Sequence, residues 1–300
     1  MSRVDGCSCS VDNRPVSVEH YENFPVASWL CPPRLRPAVV AIYGFARTAD
    51  DIADEGDASA LTRLADLRAY RAELDALLHG TALSTRWPGV FEPLRRALAT
   101  HALPAKLLTD LLSAFEQDVV KHTYLDRTEL LDYCSRSANP VGRLLLHLYG
   151  VDDAVALRQS DAICSALQLT NFWQDLGVDL RRGRFYVPAS DSSRHPGTLA
   201  ALAELRDVAS TRAVTADLVS WTRALMCEGA PLVHALPGRA GWELRLVVQG
   251  GIRILEKIEN IGFATLHKRP TLCWYDAPLL LWRAFWMRAP NSARAEKEVA

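Results

Sequence analysis

The sequence predicts an all-α protein built as one domain. Apolar residues recur at three- and four-residue spacing in almost every segment, and strand-type alternation is confined to a stretch around Arg184–Pro188. No linker or repeated period divides the chain. At 300 residues and 49 % apolar content there is enough material for one large core that encloses a ligand cavity. Residues 16–290 are assigned to this helical domain, with a flexible tail before it (1–15) and another after it (291–300).

Lys and Arg number 34 against 35 Asp and Glu, a formal charge of −1, so no basic field points to nucleic acid and any charge-based function must be local. Seven scattered cysteines read as reduced thiols rather than a disulfide framework. The Cys7-x-Cys9 pair lacks a second ligand pair at zinc-finger spacing and is read as tail. The first residues carry no apolar signal core, and no run approaches the roughly 18 apolar residues of a membrane span. The expected location is the cytoplasm, with surface association left open.

Val16–Trp29, interrupted by Pro25, is expected to pack over the mouth of the domain. Prolines 32, 33 and 37 then introduce a helix from near Leu35 to Ala53. Leu61–Leu77 is an amphipathic helix without chemistry, and Trp87–Ala99 and Pro104–Lys121 repeat the pattern from proline-led starts. Asp118, on the last of these, either lines the cavity or belongs to a solvated face. At Ser137–Arg143 small residues and Pro140 interrupt two apolar segments, which suits either a helix broken beside a ligand or an inter-helix turn.

Ala154–Leu176 is apolar, Ser190–Gly197 has the composition of an exposed loop, and Leu199–Met226 and Glu243–Leu266 are again helical. The final Leu279–Arg288 segment interleaves large rings with arginines. It suits peripheral contact with the inner face of a membrane, or simply closes the domain.

Chemistry concentrates in two acidic runs. Asp50, Asp51, Asp54 and Glu55 crowd the C-terminal end of the first helix, where the helix dipole disfavours negative charge, so the run calls for a cation. In the second run, Asn171, Asp175 and Asp179 are four residues apart. Four helical residues advance about 400°, so the three oxygen-bearing side chains are expected on one helix face. Magnesium prefers such oxygen ligands and takes one or two protein carboxylates together with substrate phosphates.

Arg47 precedes the first run, Arg181, Arg182 and Arg184 follow the second, and Tyr43 and Tyr186 flank the same places; guanidinium forks complement phosphate oxygens. Walker-type loops, dinucleotide fingerprints and nucleophile elbows are absent from the sequence. Magnesium-assisted chemistry on a diphosphate ester with an apolar tail remains, the resulting carbocation being sheltered in a dry cavity.

At these residues the chain resembles the squalene/phytoene synthase family, a branch of the isoprenoid synthase fold. Asp50-Asp51-Ile52-Ala53-Asp54 looks like its first aspartate-rich motif, and Gln168–Asp179 with the trailing Arg184-Phe185-Tyr186 looks like its second. Tyr43, Arg47 and Tyr133-Cys134 also stand in family positions. The resemblance implies a single helical bundle around a central apolar cavity. It implies magnesium–diphosphate ligands at Asp50, Asp51, Asp54, Asn171, Asp175 and Asp179, phosphate ligands at Arg47 and Arg184, and Tyr43, Tyr133 and Gln168 close to the cation.

Glu22–Ser28, Ala138–Arg143 and Gly250–Leu255 look like the hydroxysqualene synthase branch of hopanoid biosynthesis, which ionises presqualene diphosphate, rearranges the cation and quenches it with water, without NADPH. Asn139 and Tyr133 are candidates for positioning that water. Gly251 stands where carotenoid-type synthases usually have an aromatic residue. Two other readings are kept: head-to-head coupling of two prenyl diphosphates, and a non-catalytic helical scaffold, which intact acidic motifs argue against. Association with other enzymes of the squalene pathway is left open.

Overall fold

A computed structural model describes residues 31–287 of the chain. The two tails, the Val16–Trp29 segment, Cys7, Cys9 and Arg288 lie outside the described residues. Among the described residues every regular element is helical, as expected, and Arg184–Pro188 contributes only an isolated parallel bridge between Thr123 and Phe185.

The first helices are α1 (Arg36–Asp54), α2 (Ala60–Leu78), α3 (Pro88–His101) and α4 (Ala105–Asp118). Proline opens α1 and α3, and the Ser59 hydroxyl accepts from the Thr62 amide at the start of α2. Their apolar stripes meet in one core in which Phe45, Tyr70 and Phe91 pack ring to ring, with centroids 4.8–6.1 Å apart. The Tyr70 hydroxyl donates to the Phe45 carbonyl at 3.1 Å, so the one polar atom of that cluster is satisfied.

Next come α5 (Arg127–Ser137) and α6 (Asn139–Leu148), joined at the single residue Ala138. The turn there is closed, because the Ala138 amide donates to Cys134 and its carbonyl accepts from Val141. The interruption is thus an inter-helix turn. The long α7 (Ala154–Gln174), capped by Asp153, packs against α11 (Ala209–Gly229). Small residues permit the crossing: a Cβ on Gly229 would stand 2.6 Å from the Gln159 carbonyl oxygen. A second core forms among α5, α7, α11 and α13 (Gly238–Asn260) around the fully buried Trp173, whose indole donates to Thr222 Oγ1 at 2.7 Å.

Two expectations are corrected. The second acidic run does not continue one helix: the backbone of Asp175 leaves helical geometry (φ −100°, ψ 11°) and α8 (Leu176–Arg181) starts afresh, placing Asn171 on α7, Asp175 at the corner and Asp179 on α8. The polar stretch 190–197 is an exposed turn only from Arg194 to Gly197: Ala189–Ser193 forms helix α9, whose Asp191 is 1 % exposed and bound by Arg127 and Arg194. The segment 199–226 is helical with one break, holding α10 (Thr198–Ala203) and most of α11. After α12 (Leu232–Ala235) and α13, a 3-10 turn at Trp274–Asp276 leads into α14 (Ala277–Trp286).

Candidate active site

Two helices carry both the apolar and the charged parts of the site along their length. On α1 the positions Val39, Tyr43, Arg47, Asp50 and Asp54 follow each other at three- and four-residue steps on one face. On α7, Ile163, Leu167, Asn171 and the corner residue Asp175 do the same. Val39, Ile163 and Leu167 line an apolar cavity of about 250 Å³, with Val141 and Leu145 of α6 and Leu244 of α13. Arg47, Asp50, Asp54 and Asp175, with Arg182 and Arg269, line a polar cleft of about 790 Å³. At 1.5 Å per residue the cleft lies roughly 12–16 Å further along the same helices than the cavity. Tyr43 and Gln168, both half-buried, stand between the two.

The cleft is a lattice of acid and base. Arg47 pairs with Asp50 at 3.3 Å, Asp51 at 2.7 Å and Glu55 at 2.8 Å. Arg184 makes a two-pronged pair with Asp54, its Nη1 donating to Oδ2 at 2.8 Å, and so ties the segment after α8 to the end of α1. Local backbone geometry aims it: Gly183 takes the left-handed conformation (φ 78°), the Arg184 amide donates to Asp179, and the Phe185 amide donates to His122.

Burial and the neighbouring Asp54 push the Asp50 carboxyl up to about 6, against the opposing pull of Arg47. Burial and Asp175 likewise raise Asp179 to about 7. Burial raises Asp118 to about 7 as well; its Oδ2 accepts from the Tyr133 hydroxyl at 2.9 Å, and burial pushes that phenol far above its ordinary value.

The structure therefore gathers Arg47, Asp50, Asp54, Asp175 and Arg184 in and around one cleft, with Asp51 and Asp179 at its flanks. Asn171 is exposed on the last turn of α7. Tyr133 lies in an aromatic stack with Tyr124, Phe172 and Tyr186, where Phe172 and Tyr186 are parallel at 3.7 Å. Asn139 is buried away from the carboxylates, its Oδ1 accepting from Ser165 Oγ at 2.9 Å.

The squalene/phytoene synthase family model matches residues 18–276. The chain belongs to the squalene/phytoene synthase family. A hydroxysqualene synthase from Rhodopseudomonas palustris is 37 % identical over 247 residues, 80 % of each chain. The crystal structure of squalene synthase HpnC from Alicyclobacillus acidocaldarius is similar with a TM-score of 0.74 at 38 % identity, over 81 % of this chain and 90 % of that one. A dehydrosqualene synthase in complex with ligand, 22 % identical with a TM-score of 0.75 over 85 % of this chain and 88 % of that one, shares the fold.

Arg269, which no sequence motif marks, pairs through two nitrogens with Asp175 at the cleft. Its delivery depends on two neighbours of Asp175. The buried Gln174 donates to the Pro270 carbonyl at 2.7 Å, and Gly177 lets the Leu266 backbone approach so closely that any Cβ would overlap it. A glycine inside the acidic run was the available signal for that contact, but nothing local to Asp175 names a partner 94 residues away.

Proposed function

We propose that this chain converts presqualene diphosphate to hydroxysqualene in hopanoid biosynthesis. The observation that carries the reading is the joining of two acidic motifs and their arginines on one cleft at the end of an apolar cavity that the same helices line. The similarity to hydroxysqualene synthases, and Gly251 at a position of α13 where only side-chain ends of Met226 and Leu167 crowd a Cβ, support this branch of the family.

Among the described residues no three acidic, His or Cys side chains are grouped as a ready metal site, so the cleft suits magnesium as an ion held by one or two carboxylates together with a diphosphate. The cleft's donors are carboxylate oxygens, and burial first, with the neighbouring carboxylates Asp54 and Asp175 next, raises Asp50 and Asp179, a cost of ionisation that a divalent cation would offset. Asp50, Asp51 and Asp54 on one wall, and Asn171, Asp175 and Asp179 on the other, would hold it with the substrate diphosphate. When bound, the ion supplies positive charge to the leaving diphosphate.

Arg47, Arg182, Arg184 and Arg269 present guanidinium groups to the phosphate oxygens as the carbon–oxygen bond breaks. The apolar cavity keeps bulk water from the cation while it rearranges. Tyr43 and Gln168, between cavity and cleft, would stand close to the cation, as the family resemblance implies for Tyr133 too. Asn139 and Tyr133, now bonded to Ser165 and Asp118, would have to exchange those bonds to hold the water that adds to the cation. No nicotinamide takes part.

The test is incubation of the pure protein with magnesium and either presqualene diphosphate or farnesyl diphosphate, without NADPH, followed by mass spectrometry of the products. Hydroxysqualene from the first substrate and no product from the second is the expected result. Coupled products from farnesyl diphosphate would move the protein to the head-to-head branch.

A further inference from the structure

The strip that ends the described chain is exposed and apolar. On α14, Trp282 is 63 % exposed, Phe285 62 % and Trp286 51 %, and the turn before the helix adds Trp274 at 86 % together with Tyr275. The α14 rings touch one another, and Trp274 and Tyr275 form a separate pair with centroids 6.1 Å apart. Trp282 and Trp286 are 5.5 Å apart, Phe285 and Trp286 5.3 Å, and Phe285 meets Trp242 of α13 at 6.1 Å. Contiguous exposed rings of this size mark a docking surface.

Charge identifies what docks. The one carboxylate between residues 271 and 287, Asp276, is buried and bound by Arg253 and Lys257. Three cations, Arg253, Lys257 and Arg283, share two carboxylates, Asp276 and Glu256, while Arg245 hydrogen-bonds only neutral groups, His234 and the Ala284 carbonyl. Arg245 lies 5.0 Å over the Trp242 ring and Lys257 5.1 Å over Tyr275. Indoles edged by net positive charge suit the boundary between anionic headgroups and acyl chains. A two-fold contact with a second copy would set these cations against themselves.

The same turns form the cavity. Leu236, Ala240 and Leu244 line it on either side of the outward-facing Trp242, and Met287 at the end of α14 packs on the cluster that contains Leu236 and Leu244. Among the described residues no helix is long and apolar enough to cross a membrane, so contact is with one face of the bilayer.

We propose that the Trp242–Trp274–Trp286 face docks on a bilayer containing anionic phospholipid, and that the thirty-carbon chain passes between membrane and cavity beside the first turns of α13. The route rests on the function proposed above; the docking surface does not.

The experiment is co-flotation of the full chain with vesicles of phosphatidylcholine alone or mixed with phosphatidylglycerol. The wild type is expected to float with the mixed vesicles. The combined variant Trp282→Ala, Phe285→Ala, Trp286→Ala is expected to lose about tenfold or more of that binding, while turning over detergent-dispersed presqualene diphosphate as the wild type does. Trp274→Ser, outside α14, should weaken flotation in the same direction and guards against a folding defect in the triple variant.

Wild type that stays at the bottom of the gradient with both vesicles overturns the docking surface, as does a triple variant that floats equally well. So does sedimentation velocity in which the substitutions convert a dimer to a monomer without affecting vesicle binding. Equal rates for wild type and the folded triple variant on vesicle-embedded substrate overturn the route. A wild type inactive on presqualene diphosphate in detergent overturns the proposed function instead and leaves the flotation result standing.

Discussion

Asp54 is the residue at which the two walls of the cleft touch, because its carboxylate accepts from both Nη nitrogens of Arg184. Asp51, three positions earlier, pairs only with an arginine of its own helix. Asp54→Ala removes a proposed metal ligand and also frees Arg184, so a drop in kcat of about 10²-fold or more is expected at saturating magnesium, and a smaller one for Asp51→Ala. Equal losses in the two variants would contradict this division.

Asp118 behaves differently because its charge is disfavoured by burial. Its folded pKa, raised to about 7, lies above the ordinary carboxylate value of about 4. The folded state therefore holds an extra proton in that window. The associated stability is fully present below about pH 4 and is lost as pH rises through about 7. Asp118→Asn keeps an acceptor for the Tyr133 hydroxyl and removes the charge. Its Tm should match the wild type near about pH 4 and exceed it by a margin that grows up to about pH 8. A constant difference across that range would mean that the carboxylate is solvated in the folded protein.

At the scale of elements, the corner between α7 and α8 decides how the second motif presents its oxygens. The spacing of Asn171, Asp175 and Asp179 was legible because it is local, and the all-helical class was legible because apolar spacing repeats in every segment. The kink at Asp175 was not, since no proline or preceding glycine announces it; it is imposed by the chain of 264–270 docking on Gln174 and Gly177. Asp191 misled for a related reason. A run of serines and an aspartate reads as a loop until Arg127, 64 residues earlier, is seen to neutralise it.

Substitutions at two glycines separate tertiary contact from helix propensity. Gly177→Ala forces a Cβ onto the Leu266 backbone, which cannot rotate away, and should cost about 1–3 kcal/mol while raising KM through displacement of Arg269. Gly44→Ala, inside α1 with nothing within 4 Å of the new Cβ, should raise stability by about 0.5–1 kcal/mol. Thermal melts of both variants check the pair; stabilisation by Gly177→Ala would refute the close approach of Leu266.

For the whole molecule, the first motif stands on α1 in the core formed mainly by α1–α4, and the second stands on α7 and α8 in the core built around Trp173. The charged cleft is where these two cores face each other; Arg184–Asp54 joins one side to the other, while Arg269–Asp175 ties the chain of 264–270 to the end of α7 on the second side. A ligand that carries both signs of charge engages both sides at once: its cation meets the carboxylates of either motif and its anion meets the arginines. Such a ligand binds the assembled cleft and not the unfolded chain, so it adds about RT ln(1 + [L]/Kd) to stability.

Magnesium and inorganic diphosphate together should therefore raise the Tm of the wild type more than the sum of their separate effects. Asp54→Ala and Asp175→Ala should each abolish that excess, and the double variant should lose no more than either single one, because one bridged ligand needs both walls. Additive losses in that cycle would mean that the two motifs bind independent ions, and the two cores would then meet at the cleft without sharing a ligand.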